Sequence, residues 1–222
     1  MKYPQARLLV FAKAPVPGQV KTRLAPLLGA GAAAALYTDL LDQTLDTAVA
    51  TGLCPVELWC SPDSTHAHFQ DCRARHPLQL HRQAAGDLGR RMSLALHSAL
   101  RVAQQAVLVG ADCPALCGAD LEAALQALGS GKDVVLGPAT DGGYYLIGVS
   151  AHHPYLFEGI AWSTSRVLAT TLTRCRQHGL DWVCLPEHAD LDTPDDYLRY
   201  RAGETPAGRW QVRQDANNSR GY

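Results

Sequence analysis

Carboxylates crowd one short segment near the C-terminal end of the chain, where they could hold a divalent cation. Residues 190–196 contain four aspartates, and carboxylates this close repel one another unless a cation or solvent relieves them. Asp195 and Asp196 fall in the first turn of a predicted helix, where the helix dipole favours them, so we interpret them as structural. Asp190 and Asp192 alternate in the extended stretch before that helix and could both face one metal ion, although Asp192 could equally cap the helix.

A further carboxylate follows the clearest predicted strand. The segment AVLVG (106–110) is apolar and rich in β-branched residues, and Asp112 comes two residues after its last residue, Gly110. A carboxylate just beyond a central strand is well placed to hold Mg²⁺ or Mn²⁺ against phosphate oxygens. The alternative is a helix cap, for which aspartate is a favoured residue.

The loop after the first predicted strand, FAKAPVPGQVKTRLAP, concentrates basic side chains. Lys13, Lys21 and Arg23 lie close together in the sequence, and Gly18 lets the backbone approach a ligand. Basic groups on such a loop suit a polyphosphate. A Walker-type phosphate loop does not match, since its glycine spacing is missing and Val20 precedes the lysine. A solvated basic loop is the alternative.

The segment GPATDGGYYLIG places an acid beside a glycine pair. Asp141 is a candidate general base or a residue that binds a hydroxyl group, and Gly142 and Gly143 allow the backbone to turn sharply toward a ligand. Tyr144 and Tyr145 alternate faces, so at most one is expected to face a substrate. An Asp-Gly turn between two strands is also a common hairpin signal, so a pure turn is the alternative.

Two further segments carry weaker signals. In AAGDLGRRM, Asp87 sits between two glycines before a predicted helix and could line a pocket for a nucleotide base or sugar. In WSTSRVL, a helix is predicted to open after Trp162, with Ser163 and Thr164 as caps. Arg166 in the first turn opposes the helix dipole, which hints at an anionic partner.

Other reaction classes lack their residues. Ser163 has no Gly-x-Ser-x-Gly setting, so no hydrolase triad is predicted. The nine histidines are dispersed, and we expect them at the surface. The seven cysteines are odd in number and include no CxxC pair, so we expect reduced, mostly buried thiols and no structural zinc site.

The whole chain suits one soluble domain. It has 222 residues and a net charge of −1, which favours neither nucleic acid nor an anionic membrane as a partner. No apolar run approaches the roughly 20 residues that cross a bilayer, and no secretory signal follows Met1, so we expect a cytoplasmic protein. We assign residues 1–203 to a single nucleotide-binding domain and 204–222 to a polar tail.

Apolar β-rich runs alternate with segments of helical periodicity, which predicts an α/β fold with a mostly parallel sheet. Ligands of such sheets bind beyond the carboxyl ends of the strands. The predicted strands are 7–12, 56–60, 78–82, 106–110, 133–137, 144–149 and 182–186. The predicted helices are 32–50, 63–75, 86–103, 121–128 and 164–177, with a last one from Pro194.

Taken in order, the segments FAKAPVPGQVKTRLAP, GDLGRRM, VGADCPAL, GPATDGGYYLIG, WSTSRVL and DLDTPDDY carry a resemblance over about residues 7–200. The chain resembles a bacterial family of glycosyltransferase-like proteins associated with radical-SAM or selenodomain genes, or with arsenosugar biosynthesis. That family belongs to the GT-A superfamily of nucleotide-diphospho-sugar transferases. The resemblance implies a three-layer α/β/α sandwich with a mostly parallel central sheet.

The family's better-understood relatives are molybdenum-cofactor cytidylyl- and guanylyltransferases and phospholactate guanylyltransferases. The resemblance implies that the first-strand loop holds phosphates, and it implies a metal on Asp112, with Asp190 or Asp192 as a second ligand. Two departures concern the donor. The loop lacks the LAAGxGxRxG glycines of the nucleotidyltransferases, and the DxD motif of glycosyltransferases is reduced to GAD (110–112). The phosphate-binding candidates are Lys13, Gly18, Lys21, Arg23, Asp87 and Gly110.

These observations together predict a transferase that depends on Mg²⁺ or Mn²⁺ and uses a nucleotide-activated donor. Lys21 and Asp141 are the candidate catalytic residues, the latter acting on the hydroxyl group of a small-molecule acceptor. The expected donor is a nucleotide sugar; the alternatives are nucleotidyl transfer from a nucleoside triphosphate and a non-catalytic nucleotide-binding protein. The oligomeric state stays open, with a homodimer as one option. The acceptor-side candidates are Gly142, Gly143, Tyr144, Trp162 and Arg166.

Overall fold

The computed structural model describes residues 1–203, so the predicted tail at 204–222 lies outside the described residues. The strands are β1 (Ala6–Lys13), β2 (Val56–Ser61), β3 (Leu78–Arg82), β4 (Gln105–Gly110), β5 (Val134–Pro138), β6 (Tyr144–Val149) and β7 (Trp182–Cys184). The helices are α1 (Ala25–Leu28), α2 (Ala30–Ala50), α3 (Ala67–Arg75), α4 (Leu88–Leu100), α5 (Gly118–Gly129), α6 (Val167–Gln177) and α7 (Pro194–Ala202), with a 3₁₀ turn at Pro154–Leu156.

The seven strands form one sheet in the order β3-β2-β1-β4-β6-β5-β7. Strands β3, β2, β1 and β4 run parallel, and β5 runs parallel to β7. Only β6 is antiparallel to both of its neighbours, β4 and β5. The predicted α/β class and mostly parallel sheet are therefore confirmed.

Apolar side chains cover both faces of the sheet and produce the three layers. Alternate residues of β1 enter opposite clusters: Leu8 and Val10 pack with α2, α3 and α5, whereas Leu9 and Phe11 pack with α4 and α6. This alternation follows from the strand period of two. Because both faces are covered, the central strands are almost continuously apolar in sequence, as expected of a buried parallel sheet.

The helix caps differ from the predictions at two places. Helix α6 begins at Val167 and its N-cap residue, Arg166, makes no side-chain capping bond, so the predicted Ser/Thr cap is wrong. The hydroxyl group of Thr164 instead donates to the Ala161 carbonyl. Helix α7 is capped by Thr193 in a capping box with Asp196, which frees Asp192 from that role.

The structural role predicted for Asp196 is confirmed by the same capping box. The alternative that Asp112 caps a helix is wrong, because the next helix, α5, begins six residues later with Cys117 as its cap. Among residues 1–203, no helix is long and apolar enough to cross a membrane.

Candidate active site

A cavity of about 480 Å³ opens where β1 and β4 lie side by side and end. Its lining includes Lys13 at the end of β1 and Gly110 at the end of β4. The connection from β1 leads to α2 on one face of the sheet, and the connection from β3 leads to α4 on the other. The cavity therefore lies at a topological switch point, where open α/β sheets bind ligands.

Backbone strain is concentrated at this cavity. Among residues 1–203, the non-glycine residues with positive φ are Lys21, at 46°, and Ser163, at 63°. Both line the cavity, on opposite loops. Such conformations are unfavourable for side chains with a Cβ atom and collect at functional sites, where the surrounding structure holds them in place.

Lys21 brings a positive charge to the predicted carboxylates. Its side chain is only 3% exposed, and its Nζ lies 2.6 Å from Oδ1 of Asp112 and 3.9 Å from Oδ1 of Asp192. Arg23, in contrast, is exposed and donates from Nη1 to Oδ2 of Asp192 at 2.8 Å. The loop after β1 therefore joins the acidic segment through two basic side chains.

The acidic segment is pinned to the end of β4 by its backbone. The N–H of Leu191 donates to the carbonyl of Asp112 at 2.9 Å, and the Leu191 side chain is fully buried. Its neighbours Asp190 and Asp192 both line the cavity. Asp190 and Asp192 therefore reach the same cavity, while Leu191 between them points into the protein.

Asp190 sits among like charges. Burial raises the pKa of its carboxyl to about 7, and the Asp112 and Asp141 carboxylates act in the same direction, against the opposing effect of Lys21. Among the described residues that line the cavity, four aspartates thus share it with one buried ammonium group, that of Lys21. A divalent cation between them would relieve the repulsion.

Asp141 lies on the turn that joins β5 to β6. Its Oδ1 accepts from the N–H of Gly143 at 2.8 Å, and Gly142 has a φ of 87°. A Cβ at Gly142 would lie 2.3 Å from the carbonyl oxygen of Ser165, so the turn packs closely against the loop before α6. The hairpin interpretation is therefore correct for the backbone, and the carboxylate also lines the cavity.

The part of the cavity wall formed by Gln83 and Arg91 was missed by sequence reasoning. Buried Gln83 donates from Nε2 to the carbonyls of Trp59 and Ala12, at 2.7 and 3.2 Å, and accepts from Nη1 of Arg91 at 3.0 Å. Nε of Arg91 and Nε1 of Trp162 are buried and have no hydrogen-bond partner among residues 1–203. The available signal was that Gln83 directly follows β3, at the carboxyl edge of the sheet.

Most of the predicted site residues therefore line the cavity, and four do not. Asp87 caps α4 by accepting from the Arg90 N–H. The predicted residues that line the cavity are Lys13, Lys21, Arg23, Gly110, Asp112, Asp141, Gly143, Tyr144, Trp162, Asp190 and Asp192. Those outside the lining are Gly18, Asp87, Gly142 and Arg166.

Both tyrosines of the YYLIG strand border the cavity, from opposite faces of the sheet. Tyr145 belongs to the cluster that packs with α2 and α5, and its hydroxyl group donates to the carbonyl of Pro186 at 3.1 Å. Tyr144 packs against the other cluster, with its ring edge-on to Trp162. Trp162 in turn lies over Gly89, where a Cβ would come within 2.5 Å of its ring.

The family model described as an uncharacterised protein conserved in bacteria, DUF2064, matches residues 44–164, more than half of the chain. The chain belongs to this family. The matched region contains β4 with Asp112 and the β5–β6 turn with Asp141. No curated protein matches this DUF2064 chain.

Solved structures share the fold over most of their length. A protein from Desulfovibrio desulfuricans G20, provisionally described as a nucleotide-diphospho-sugar transferase, is 31% identical with a TM-score of 0.83, covering 92% of this chain and 90% of its own. A 4-diphosphocytidyl-2C-methyl-D-erythritol synthase from Anaerococcus prevotii is 9% identical with a TM-score of 0.60, covering 88% and 95%. Rv0371c from Mycobacterium tuberculosis, solved with manganese, is 20% identical with a TM-score of 0.51, covering 89% and 97%. The fold of this DUF2064 chain is thus that of the nucleotide-diphospho-sugar transferases and nucleotidyltransferases.

Proposed function

We propose that this DUF2064 protein is a metal-dependent transferase that uses a nucleotide-activated donor, with glycosyl transfer from a nucleotide-diphospho-sugar as its main reaction. One observation carries the proposal. Asp112, Asp190, Asp192 and the buried ammonium of Lys21 converge at the switch point of the sheet and line one cavity. The resemblance to the Desulfovibrio protein, at 31% identity, supports the same class of reaction.

The carboxylate set fits a hard divalent cation. Asp112, Asp190 and Asp192 offer only oxygen ligands, which Mg²⁺ and Mn²⁺ prefer. The raised pKa of Asp190 supports the fit, because the fold packs this carboxyl group against like charges with too little positive charge nearby. When bound, such an ion neutralises negative charge on the leaving phosphate. The manganese in the Rv0371c structure is consistent with an ion of this kind.

The basic loop would hold the donor's diphosphate. Lys21 is held in a strained, buried position, so its ammonium group is oriented before a ligand arrives. Arg23 is 67% exposed at its side chain and can exchange Asp192 for a phosphate oxygen without leaving solvent. Lys13, at the end of β1, lines the same cavity.

Asp141 would act on the acceptor. It lies in the cavity outside the proposed metal ligands, on an exposed turn held by Gly143 and Leu168, whose N–H groups donate to the Asp141 carboxylate and to the Gly142 carbonyl. A carboxylate in this place can orient an acceptor hydroxyl and accept its proton. This additional carboxylate is the reason to put glycosyl transfer first.

Nucleotidyl transfer is the second candidate, favoured by the basic side chains beside the carboxylates. Lys21 and Arg23 together would suit the three phosphates of a nucleoside triphosphate, and a phosphate or carboxylate acceptor needs no general base. The two reactions differ in their products. Nucleotidyl transfer releases pyrophosphate, whereas glycosyl transfer releases a nucleoside diphosphate.

The test is binding and turnover with the purified full-length protein. Titration calorimetry with Mn²⁺ present or absent would be run against nucleoside triphosphates and nucleotide sugars, followed by product analysis for pyrophosphate or nucleoside diphosphate. Asp112→Asn is expected to weaken metal-dependent donor binding at least tenfold. Asp195→Asn is the matched control, since it makes the same charge change on exposed α7, outside the cavity.

The outcomes separate the hypotheses. Metal-dependent binding of one nucleotide sugar, lost in Asp112→Asn and kept in Asp195→Asn, supports the proposed site and identifies the donor. Binding of a triphosphate with release of pyrophosphate selects the second candidate. Nucleotide binding that survives Asp112→Asn with no turnover in either form points to a binding protein, and no binding at all contradicts the proposal.

A further inference from the structure

A second group of metal-ligating side chains lies between α2 and α3, among residues that do not line the cavity. Asp42 lies on α2 and His68 on α3, and Oδ1 of Asp42 is 3.0 Å from Nε2 of His68. Cys72, one turn after His68, places its Sγ 3.5 Å from Nε2 of His68 and 3.7 Å from Oδ1 of Asp42. All three ligand atoms lie within 4.8 Å of one another.

These distances match the edges of a small coordination polyhedron. Zinc binds cysteine sulfur at roughly 2.3 Å and histidine nitrogen or carboxylate oxygen at roughly 2.0 to 2.2 Å. Tetrahedral geometry with those bonds separates two ligand atoms by roughly 3.3 to 3.6 Å. The three separations observed here, 3.0, 3.5 and 3.7 Å, already lie near these edges without rearrangement.

The elements hold the ligands in place. His68 and Cys72 stand four residues apart on one face of α3, a spacing that brings side chains together on a helix. Cys72 is fully buried, and the side chains of His68 and Asp42 are 15% and 21% exposed. The group is therefore largely shielded from water but reachable from one side.

Arg75 marks the open side. Its Nη2 lies 2.8 Å from Oδ1 of Asp42 and 3.6 Å from Sγ of Cys72, so its guanidinium faces two of the three ligand atoms. A guanidinium has no lone pair to offer a metal. Because the Arg75 side chain is 44% exposed, it can turn into water and leave a fourth position free.

We propose that Asp42, His68 and Cys72 form a binding site for a borderline-soft divalent cation, Zn²⁺ above all, that joins α2 to α3. Thiolate and imidazole ligands select such an ion, in contrast to the all-oxygen set in the cavity. The site does not depend on the proposed transferase reaction. The competing interpretation is an ion-pair network in which His68 and Arg75 only neutralise Asp42.

Cobalt substitution tests the site directly. Full-length protein with reduced thiols would be titrated with Co²⁺, which gives a thiolate-to-metal charge-transfer band in the near ultraviolet only when a cysteine ligates the ion. We expect one such band per chain, displaced by Zn²⁺. Cys72→Ser should abolish it, and His68→Gln should weaken the binding, which keeps the test usable if Cys72→Ser does not fold.

Cys113→Ser is the matched control, because Cys113 is another buried thiol and it lines the cavity near the carboxylates. The band should survive this change. Arg75→Gln removes the competing cation and should lower the dissociation constant for Zn²⁺ several-fold. The absence of a thiolate band in both the wild-type protein and Arg75→Gln overturns the proposal, as does a band that persists in Cys72→Ser.

Discussion

Lys21 combines three features that each affect the stability of the folded protein. It is buried, adopts a positive φ, and lies within ion-pair distance of Asp112 and Asp192. Removing one partner of a buried charge pair leaves the other without compensation, whereas an exposed pair contributes little. The stability of this corner of the molecule therefore depends on a residue that the proposed mechanism also needs.

Lys21→Met should lower the free energy of unfolding by about 2 kcal/mol, because Asp112 and the buried Asp190 lose the ammonium group that offsets their negative charge. Lys132→Met is the control, since its ion pair with Asp181 is exposed and should contribute at most about 1 kcal/mol. Urea unfolding of the metal-free proteins measures both. Adding Asp190→Asn to Lys21→Met should restore part of the loss; equal losses for the two lysine variants would contradict this account.

The raised pKa of Asp190 predicts how the free energy of unfolding depends on pH. Its pKa in the folded protein is about 7, above the ordinary aspartate value of 3.8, so between these values the folded protein holds a proton that the unfolded chain has lost. The group therefore makes the free energy of unfolding fall as the pH rises from about 4 to about 7.

Asp190→Asn should consequently raise stability much more at pH 8 than at pH 4.5, in the presence of a chelator, because most of the loss in the wild-type protein develops between these two values. Thermal unfolding of the wild-type protein and the variant across this range measures the difference, with Asp195→Asn expected to show no such trend. A stabilisation that does not depend on pH would show that the Asp190 carboxyl is not the group that titrates.

Two glycines occupy the same position in different helices but have different surroundings. Gly89 and Gly31 are both the second residue of a helix, α4 and α2 respectively. A Cβ at Gly89 would lie 2.5 Å from the Trp162 ring and 2.6 Å from the Phe157 carbonyl, whereas no atom of the described part of the chain lies within 4 Å of a Cβ at Gly31. The same substitution should therefore have opposite effects.

Gly89→Ala should lower the free energy of unfolding by about 1–3 kcal/mol through overpacking and displace Trp162 from the cavity wall. Gly31→Ala should raise it by about 0.5 kcal/mol, since alanine favours the helix. Chemical denaturation measures both effects, and donor affinity by calorimetry should fall only for Gly89→Ala. A neutral Gly89→Ala would mean that the loop carrying Trp162 yields freely.

The start of α7 links a helix cap to the acidic segment. Oδ2 of Asp196 accepts from the N–H groups of Asp192 and Thr193, and the Thr193 hydroxyl group accepts from the Asp196 N–H. Thr193→Ala should lower the free energy of unfolding by about 1 kcal/mol and weaken Mn²⁺ binding, because Asp192 loses its fixed position. Thr193→Ser keeps the hydroxyl group and should behave like the wild-type protein in both measurements.

At the scale of the molecule, the apolar clusters lie on opposite faces of one continuous sheet. We propose on this basis that residues 1–203 form a single domain. The chain should then unfold in one cooperative transition, with coincident urea midpoints by circular dichroism and by tryptophan fluorescence. Trp59 on β2 and Trp182 on β7 lie in opposite halves of the sheet, so two separate midpoints would contradict a single domain.

Much of the architecture could be predicted because its signals are local. The predicted strands 78–82 and 144–149 match β3 and β6 residue for residue. The end of the apolar run AVLVG at residue 110 likewise predicted that Asp112 lies at the edge of the sheet. Strand period, helix period and turn residues act over a few positions, so they can be recognised without knowing the partners.

The antiparallel direction of β6 and the meeting of Asp112, Asp141 and Asp190 in one cavity were decided only by the tertiary structure. The tertiary structure also decided that Gln83 and Arg91 form part of the cavity wall. It likewise brought Asp42 into contact with Cys72 and with His68, a histidine that was expected at the surface. These contacts join residues far apart in sequence, and no local pattern encodes them. They arise because burying both faces of the sheet forces particular helices together, and that choice is made by the packing of the whole chain.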